Sequence, residues 1–202
     1  VSAPVTPGGR APQRHVSNWN IANALTMLRI LLVPVFVWLL MRQGGLDASD
    51  RWWAWGVFVL ASVTDKIDGD LARSRGLITD FGKLADPIAD KALMGAGLIC
   101  LSLIGDLWWW VTVVILVREL GITLLRFVVI RYGVMAASRG GKLKTMLQAI
   151  ALGMYVLPGN DLWHWACALV MAAALVVTVV TGVDYLLAAH RLRRDARPGG
   201  GA

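Results

Sequence analysis

Long apolar runs separated by short polar turns make up most of this chain. The first run covers residues 22–41 and is followed by a polar loop at 43–50. The second, residues 52–64, covers only about 20 Å at 1.5 Å per residue, short of the roughly 30 Å of a bilayer's hydrocarbon core. Its helix is therefore expected to continue through the polar stretch that follows. Further runs lie at 81–104, 107–130, 145–157 and 162–189. Gly105 and Asp106 are expected to turn the chain, residues 131–144 to form a basic loop, and residues 158–161 to turn again. Gly141-Lys142-Leu143-Lys144 is expected to prolong the fifth run at its start, and Pro87 is tolerated because it falls near the start of the third. Only helices and closed barrels satisfy their backbone in lipid, and these runs are too continuous for strands. The pattern predicts an all-α integral membrane protein, a six-transmembrane-helix bundle over residues 17–190. Residues 1–16 read as a disordered tail without the apolar core of a signal peptide, and 191–202 as a basic tail.

Composition agrees with the pattern. Of 202 residues, 57% are hydrophobic and 16% charged, more apolar sequence than a soluble core of this size can hide. The net charge of +7 then bears on orientation and on attraction to anionic lipid, with no nucleic acid implied. Of the 20 Lys and Arg, only Arg42 and Arg51 fall in the loops on the side opposite the termini. The positive-inside rule places both termini in the cytoplasm and the chain as a multi-pass protein of the cell (inner) membrane. Trp52, Trp53, Trp55, Trp108, Trp109, Trp110, Trp163 and Trp165 gather at the outer ends of the second, fourth and sixth runs, as an interfacial belt requires. Cys100 and Cys167 lie within apolar runs and read as buried hydrophobes, and the three histidines show no ligand spacing.

The informative departures from apolarity are acidic. Asp65-Lys66-Ile67-Asp68-Gly69-Asp70-Leu71-Ala72-Arg73, with Gly82-Lys83-Leu84-Ala85-Asp86-Pro87-Ile88-Ala89-Asp90, reads Asp-x2-Asp-Gly-x2-Ala-Arg-x8-Gly-x3-Asp-x3-Asp. Acids three and four apart share one face of a helix, so Asp65 and Asp68 on one helix and Asp86 and Asp90 on the next can form one acidic pocket at the membrane surface. Crowded carboxylates need a counter-charge, and oxygen donors without nearby Cys or His favour Mg²⁺ or Mn²⁺. Four carboxylates suffice for two ions, an arrangement that clamps a phosphate during displacement. Arg73, one to two turns further on, could hold a phosphate oxygen. Arg29, Arg118, Glu119 and Arg126 also interrupt apolar runs and must face the bundle interior or a wet cavity.

This full pattern resembles the signature of the CDP-alcohol phosphotransferases, membrane enzymes that build phospholipids from CDP-activated precursors. All fixed positions match at the family's spacing. The resemblance implies metal binding by Asp65, Asp68, Asp86 and Asp90, with Asp90 also accepting the proton of the attacking alcohol. It implies contacts to CDP-diacylglycerol from Asn23, Thr26, Arg29, Gly69, Arg73 and Thr79. Asn23 can equally be read as a helix N-cap, and Gly69 suits close approach of a nucleotide. Arg118-Glu119 with Arg126, Gly141-Lys142-Leu143-Lys144-Thr145 and Asp-Pro-Ile-Ala-Asp-Lys resemble the branch whose acceptor is glycerol 3-phosphate, although Ala22 stands where that branch often has Pro. Arg118, Arg126, Lys142 and Lys144 would then hold the acceptor phosphate, and Glu119 would be a charge partner or helix tie. The implied reaction gives phosphatidylglycerophosphate and CMP, in a protein surrounded by membrane lipids and paired as a homodimer.

Inositol phosphate as acceptor, giving phosphatidylinositol phosphate, calls for much the same cations, and a CDP-diacylglycerol-dependent cardiolipin synthase shares the motif. A membrane cation transporter is the reading from another class, but it expects acids near the midplane and broken helices in repeated halves.

Overall fold

The computed structural model describes residues 21–75, 80–129 and 139–195, which form six α-helices and one short 3₁₀ turn. They are α1 (Ile21–Met41), α2 (Ala48–Arg75), α3 (Asp80–Leu103), α4 (Trp109–Val129), α5 (Arg139–Val156) and α6 (Asp161–Asp195), with the 3₁₀ turn at Arg42–Gly45. No strand occurs among the described residues.

Local chemistry sets the boundaries. Asp47 Oδ1 accepts the Asp50 amide at 2.9 Å and starts α2. Asn160 Oδ1 accepts the Trp163 amide at 3.0 Å and starts α6. At the end of α3, Gly105 adopts a φ of +88°. The Gly105 amide donates to the Ser102 carbonyl and the Asp106 amide to that of Leu101, a Schellman turn that a side chain at Gly105 would strain.

As expected, α2 runs on through the acidic stretch to Arg75. Other boundaries differ. Gly141-Lys142-Leu143-Lys144 prolong the fifth run as expected, and the helix starts earlier still: α5 begins at Arg139, within the stretch expected to be loop. α6 continues past His190 to Asp195, where the chain had been expected to leave the bundle, because Arg191-Leu192-Arg193-Arg194 are good helix formers. Pro87 lies in the body of α3, eight residues into the helix, so the carbonyl four residues earlier has no helical N–H.

α1 packs on α2 and α3, α5 on α6, and α4 on α6, with α3 also touching α4 and α5. The core is apolar, built from Phe36, Leu40, Phe58, Leu101, Ile115, Leu152 and Val156 among others. Two internal polar ties cross it. Thr112 shares a 2.7 Å hydrogen bond with Ser102 and donates to the Leu98 carbonyl, joining α4 to α3. Gln148 donates to Thr178 Oγ1 at 2.9 Å, joining α5 to α6.

The exterior is apolar on every helix, for example at Leu31, Leu60, Ile99, Val117, Ile150 and Val179, whereas Arg29, Arg51 and Lys144 are buried. That distribution inverts the water-soluble pattern. Among the described residues, two helical segments, Asn23–Gly45 and Asp161–Arg191, are long and apolar enough to cross a membrane. α2, α3 and α4 carry acids or cations of the polar end within their length, which lowers their average hydropathy. The molecule is a helical membrane protein.

Candidate active site

A cavity of about 750 Å³ opens at the end of the bundle where α2 carries its acids. α1 contributes Arg29, α2 Asp65 and Lys66, α3 Asp90 and Lys91, α4 Arg118, Glu119 and Thr123, α5 Lys142 and Lys144, and α6 Tyr185. Every helix of the bundle thus reaches the same space.

On the acidic side, Arg29 Nη1 lies 2.5 Å from Asp65 Oδ1; the Arg29 side chain is 1% exposed and that of Asp65 42%. Arg29 follows Asn23 and Thr26 at helical three-residue spacing, and all three are buried along one face of α1. Asn23 lies inside α1 and not at its N-cap, which removes the capping role as the reason for its presence. Arg29 lines the cavity; Asn23 and Thr26 are not among its lining residues.

The cationic side is organised on Glu119. Its carboxylate accepts from Lys144 Nζ and, at 3.1 Å, from Arg118 Nη1. Lys91 Nζ is 3.9 Å from the other carboxylate oxygen and donates to Thr123 Oγ1 at 2.6 Å. Arg118 is held a second time by α6: Nε donates to the Thr178 carbonyl at 3.1 Å and Nη2 to Thr181 Oγ1 at 2.8 Å. The guanidinium carbon stands 5.9 Å from the Tyr185 ring centroid.

Of the residues expected at the site, Asp65, Asp90, Arg29, Arg118, Lys142 and Lys144 line this one cavity. Asp68, Gly69 and Arg73 fall in α2, Asp86 in α3 and Arg126 in α4, with side chains outside the described set; Thr79 lies outside the described residues altogether. The sequence reading missed Lys91, Thr123, Thr181 and Tyr185. Lys91 had a visible signal, since it directly follows an acid of the motif. The α6 residues had none, because their approach to Arg118 is purely tertiary.

Asp90 and the Arg29-paired Asp65 offer only hard oxygen ligands, and among the described residues neither cysteine nor histidine lines the cavity. Among the described residues no three His, Cys, Asp or Glu side chains cluster closely enough to hold a metal. The backbone nevertheless places Asp68 on the helix of Asp65 and Asp86 on that of Asp90. The donor chemistry fits a hard divalent cation shared between α2 and α3.

The sequence model of the CDP-alcohol phosphatidyltransferases matches residues 19–181, most of the chain and all of the cavity's helices but the end of α6. This chain belongs to the CDP-alcohol phosphatidyltransferase family. It is 52% identical over 191 residues to a probable phosphatidylglycerophosphate synthase of Mycobacterium tuberculosis, covering 95% of this chain and 90% of that protein. It is 36% identical over 187 residues to the CDP-diacylglycerol–glycerol-3-phosphate 3-phosphatidyltransferase of Bacillus subtilis, covering 83% and 93%. The enzyme of the same name from Rickettsia typhi is 36% identical over 174 residues, covering 84% and 96%. As a member of this family the chain is a phosphatidyltransferase.

Proposed function

We propose that this phosphatidyltransferase moves a phosphatidyl group from CDP-diacylglycerol to sn-glycerol 3-phosphate, giving phosphatidylglycerophosphate and CMP. The observation that carries this is the juxtaposition, in one cavity, of the motif carboxylates Asp65 and Asp90 with Arg118, Lys142 and Lys144. An acidic half suits a metal-bound pyrophosphate, and a cationic half suits an acceptor that is itself a phosphate. The names of the relatives support the same donor and acceptor.

In this reading Asp65, Asp68, Asp86 and Asp90 hold two Mg²⁺ or Mn²⁺ ions. Ions held by these residues would supply positive charge to offset that of the pyrophosphate and of departing CMP. Asn23, Thr26, Arg29, Gly69, Arg73 and Thr79 hold the CDP-lipid head, while Arg118, Arg126, Lys142 and Lys144 hold the acceptor phosphate. A terminal hydroxyl of glycerol 3-phosphate attacks the phosphorus on the diacylglycerol side. A new O–P bond forms, the P–O bond to CMP breaks, and Asp90 takes the hydroxyl proton. The chain's contribution is mainly alignment of the two substrates.

The same reading has all six helices crossing the cell (inner) membrane, with the cavity and both termini cytoplasmic and two chains paired as a homodimer. The apolar exterior present on each helix supports six crossings. Even α5, at 18 residues, reaches about 27 Å at 1.5 Å per residue.

The test is CMP release by the purified protein with CDP-diacylglycerol and Mg²⁺ or Mn²⁺, comparing glycerol 3-phosphate, inositol phosphate and phosphatidylglycerol. Turnover with glycerol 3-phosphate alone, lost in Asp90→Asn, is expected. Turnover with inositol phosphate or phosphatidylglycerol instead would assign the chain to another branch, and cation flux without turnover would make it a transporter.

A further inference from the structure

Glu119 is an acid set among cations in a cavity that must receive an anion. On electrostatics alone it opposes acceptor binding, so its presence calls for a geometric reason. Lys144 supplies that reason. It is 5% exposed, and a buried ammonium without a partner is unstable in position and in charge. Among the described residues it pairs with the Glu119 carboxylate, which arrives from α4 while Lys144 sits on α5. The same carboxylate takes Arg118 Nη1, and the Glu119 backbone carbonyl accepts from Lys91 Nζ at 3.4 Å.

We propose that Glu119 is the positioning residue of the acceptor subsite, fixing Lys144 and Arg118 so that their unused donors face the cavity as a rigid phosphate cradle. This rests on the acceptor being a phosphate monoester bound at these cations. Donor arithmetic leaves room for the ligand. An ammonium has three N–H groups, of which Glu119 takes one. A guanidinium has five, of which Thr178, Glu119 and Thr181 take three of Arg118's. Lys91, Arg118 and Lys144 with one Glu119 carry a net charge of +2, and Lys142 lines the same cavity, so the balance here favours an anionic phosphate. Because three helices supply the cations and a single carboxylate joins them, the cradle is set before substrate arrives and little ordering remains to be done on binding.

The experiment is steady-state CMP release by the full-length protein in detergent micelles, varying each substrate in turn, for the unaltered chain, Glu119→Gln and Glu119→Asp. In Glu119→Gln the KM for glycerol 3-phosphate is expected to rise roughly tenfold or more, with kcat and the KM for CDP-diacylglycerol within about twofold. Glu119→Asp, which keeps the charge on a shorter stem, is expected to fall between the two. A fall in the KM for glycerol 3-phosphate would overturn the proposal by showing that Glu119 merely competes with the ligand. So would a loss of kcat at constant KM, which would make Glu119 part of the chemistry. If Glu119→Gln does not fold, Thr181→Val removes one tether of Arg118 at almost unchanged volume. It is expected to raise the same KM by about two- to fivefold, and an unchanged value there overturns the proposal. Absence of turnover with glycerol 3-phosphate in the unaltered chain removes the functional reading itself, and the proposal with it. Normal turnover with variant-insensitive KM sinks the proposal alone.

Discussion

Arg51 Nη2 lies 2.6 Å from Asp106 Oδ2 and 2.6 Å from the Tyr155 carbonyl. Nε of the same guanidinium donates to the Val156 carbonyl at 3.0 Å, and Nη1 to that of Gly45 at 3.2 Å. One side chain at the start of α2 thereby joins the 3₁₀ turn, the α3–α4 turn and the last carbonyls of α5, which lack helical donors.

Replacing Arg51 by Met would leave those acceptors and Asp106 unpaired while keeping most of the side chain's volume. Breaking a buried pair from one side costs about 3–5 kcal/mol, and partial exposure of Asp106 places this case near the lower figure. Thermal unfolding in detergent is expected to shift down by several degrees, with both KM values unchanged in the protein that remains folded. An unchanged melting curve would contradict the role.

Gly182 is where α6 passes Arg118. A Cβ there would stand 3.3 Å from Arg118 Cγ and 3.4 Å from Nε. Gly182→Ala should therefore push the guanidinium off the Thr178 carbonyl and raise the KM for glycerol 3-phosphate by roughly two- to fivefold. The KM for CDP-diacylglycerol serves as the internal control and should not move.

Arg29→Lys tests the other half of the cavity. Lysine keeps the charge beside Asp65 but loses the planar, multi-donor geometry of a buried guanidinium. A loss of roughly tenfold in kcat/KM for CDP-diacylglycerol is expected, with the KM for glycerol 3-phosphate little changed. An equal effect on both substrates would mean that the two halves are not separable.

Chelation is the simplest probe of the acids. Dialysis against EDTA should abolish CMP release, and Mg²⁺ or Mn²⁺ should restore it in the unaltered chain but not in Asp65→Asn. Zn²⁺ should restore little, since the cavity offers oxygen ligands without Cys or His.

Much of the bundle was legible because membrane helices write themselves as apolar runs, and the acids because their spacing is chemical. The start of α5 was legible in part: Gly141 to Lys144 were expected to prolong the run, but Arg139 and Gly140 look like a loop by propensity, and the burial of Lys144 against Glu119 is a tertiary contact that helps to outweigh the cost of glycine. Asn23 resembled a cap because it opens the polar face of α1, but the helix begins before it. Arg42 and Arg51 were counted only as charges on the outer side. Their partners could not be read locally: Arg42 sits 3.5 Å from Asp50 and 5.1 Å from the Trp38 ring centroid, and Arg51 reaches across the bundle to α5. The assembly of Arg118 with Thr181 and Tyr185 was hidden for the same reason, since α6 lies far along the sequence from α4.

The Arg51 cluster also distributes polar ties unequally along the bundle. The far end is fastened across three connections, while the near end is parted by a cavity of about 750 Å³ lined with charges. Amide hydrogen exchange is therefore expected to be faster at the cavity end of the helices than at the end that Arg51 ties together.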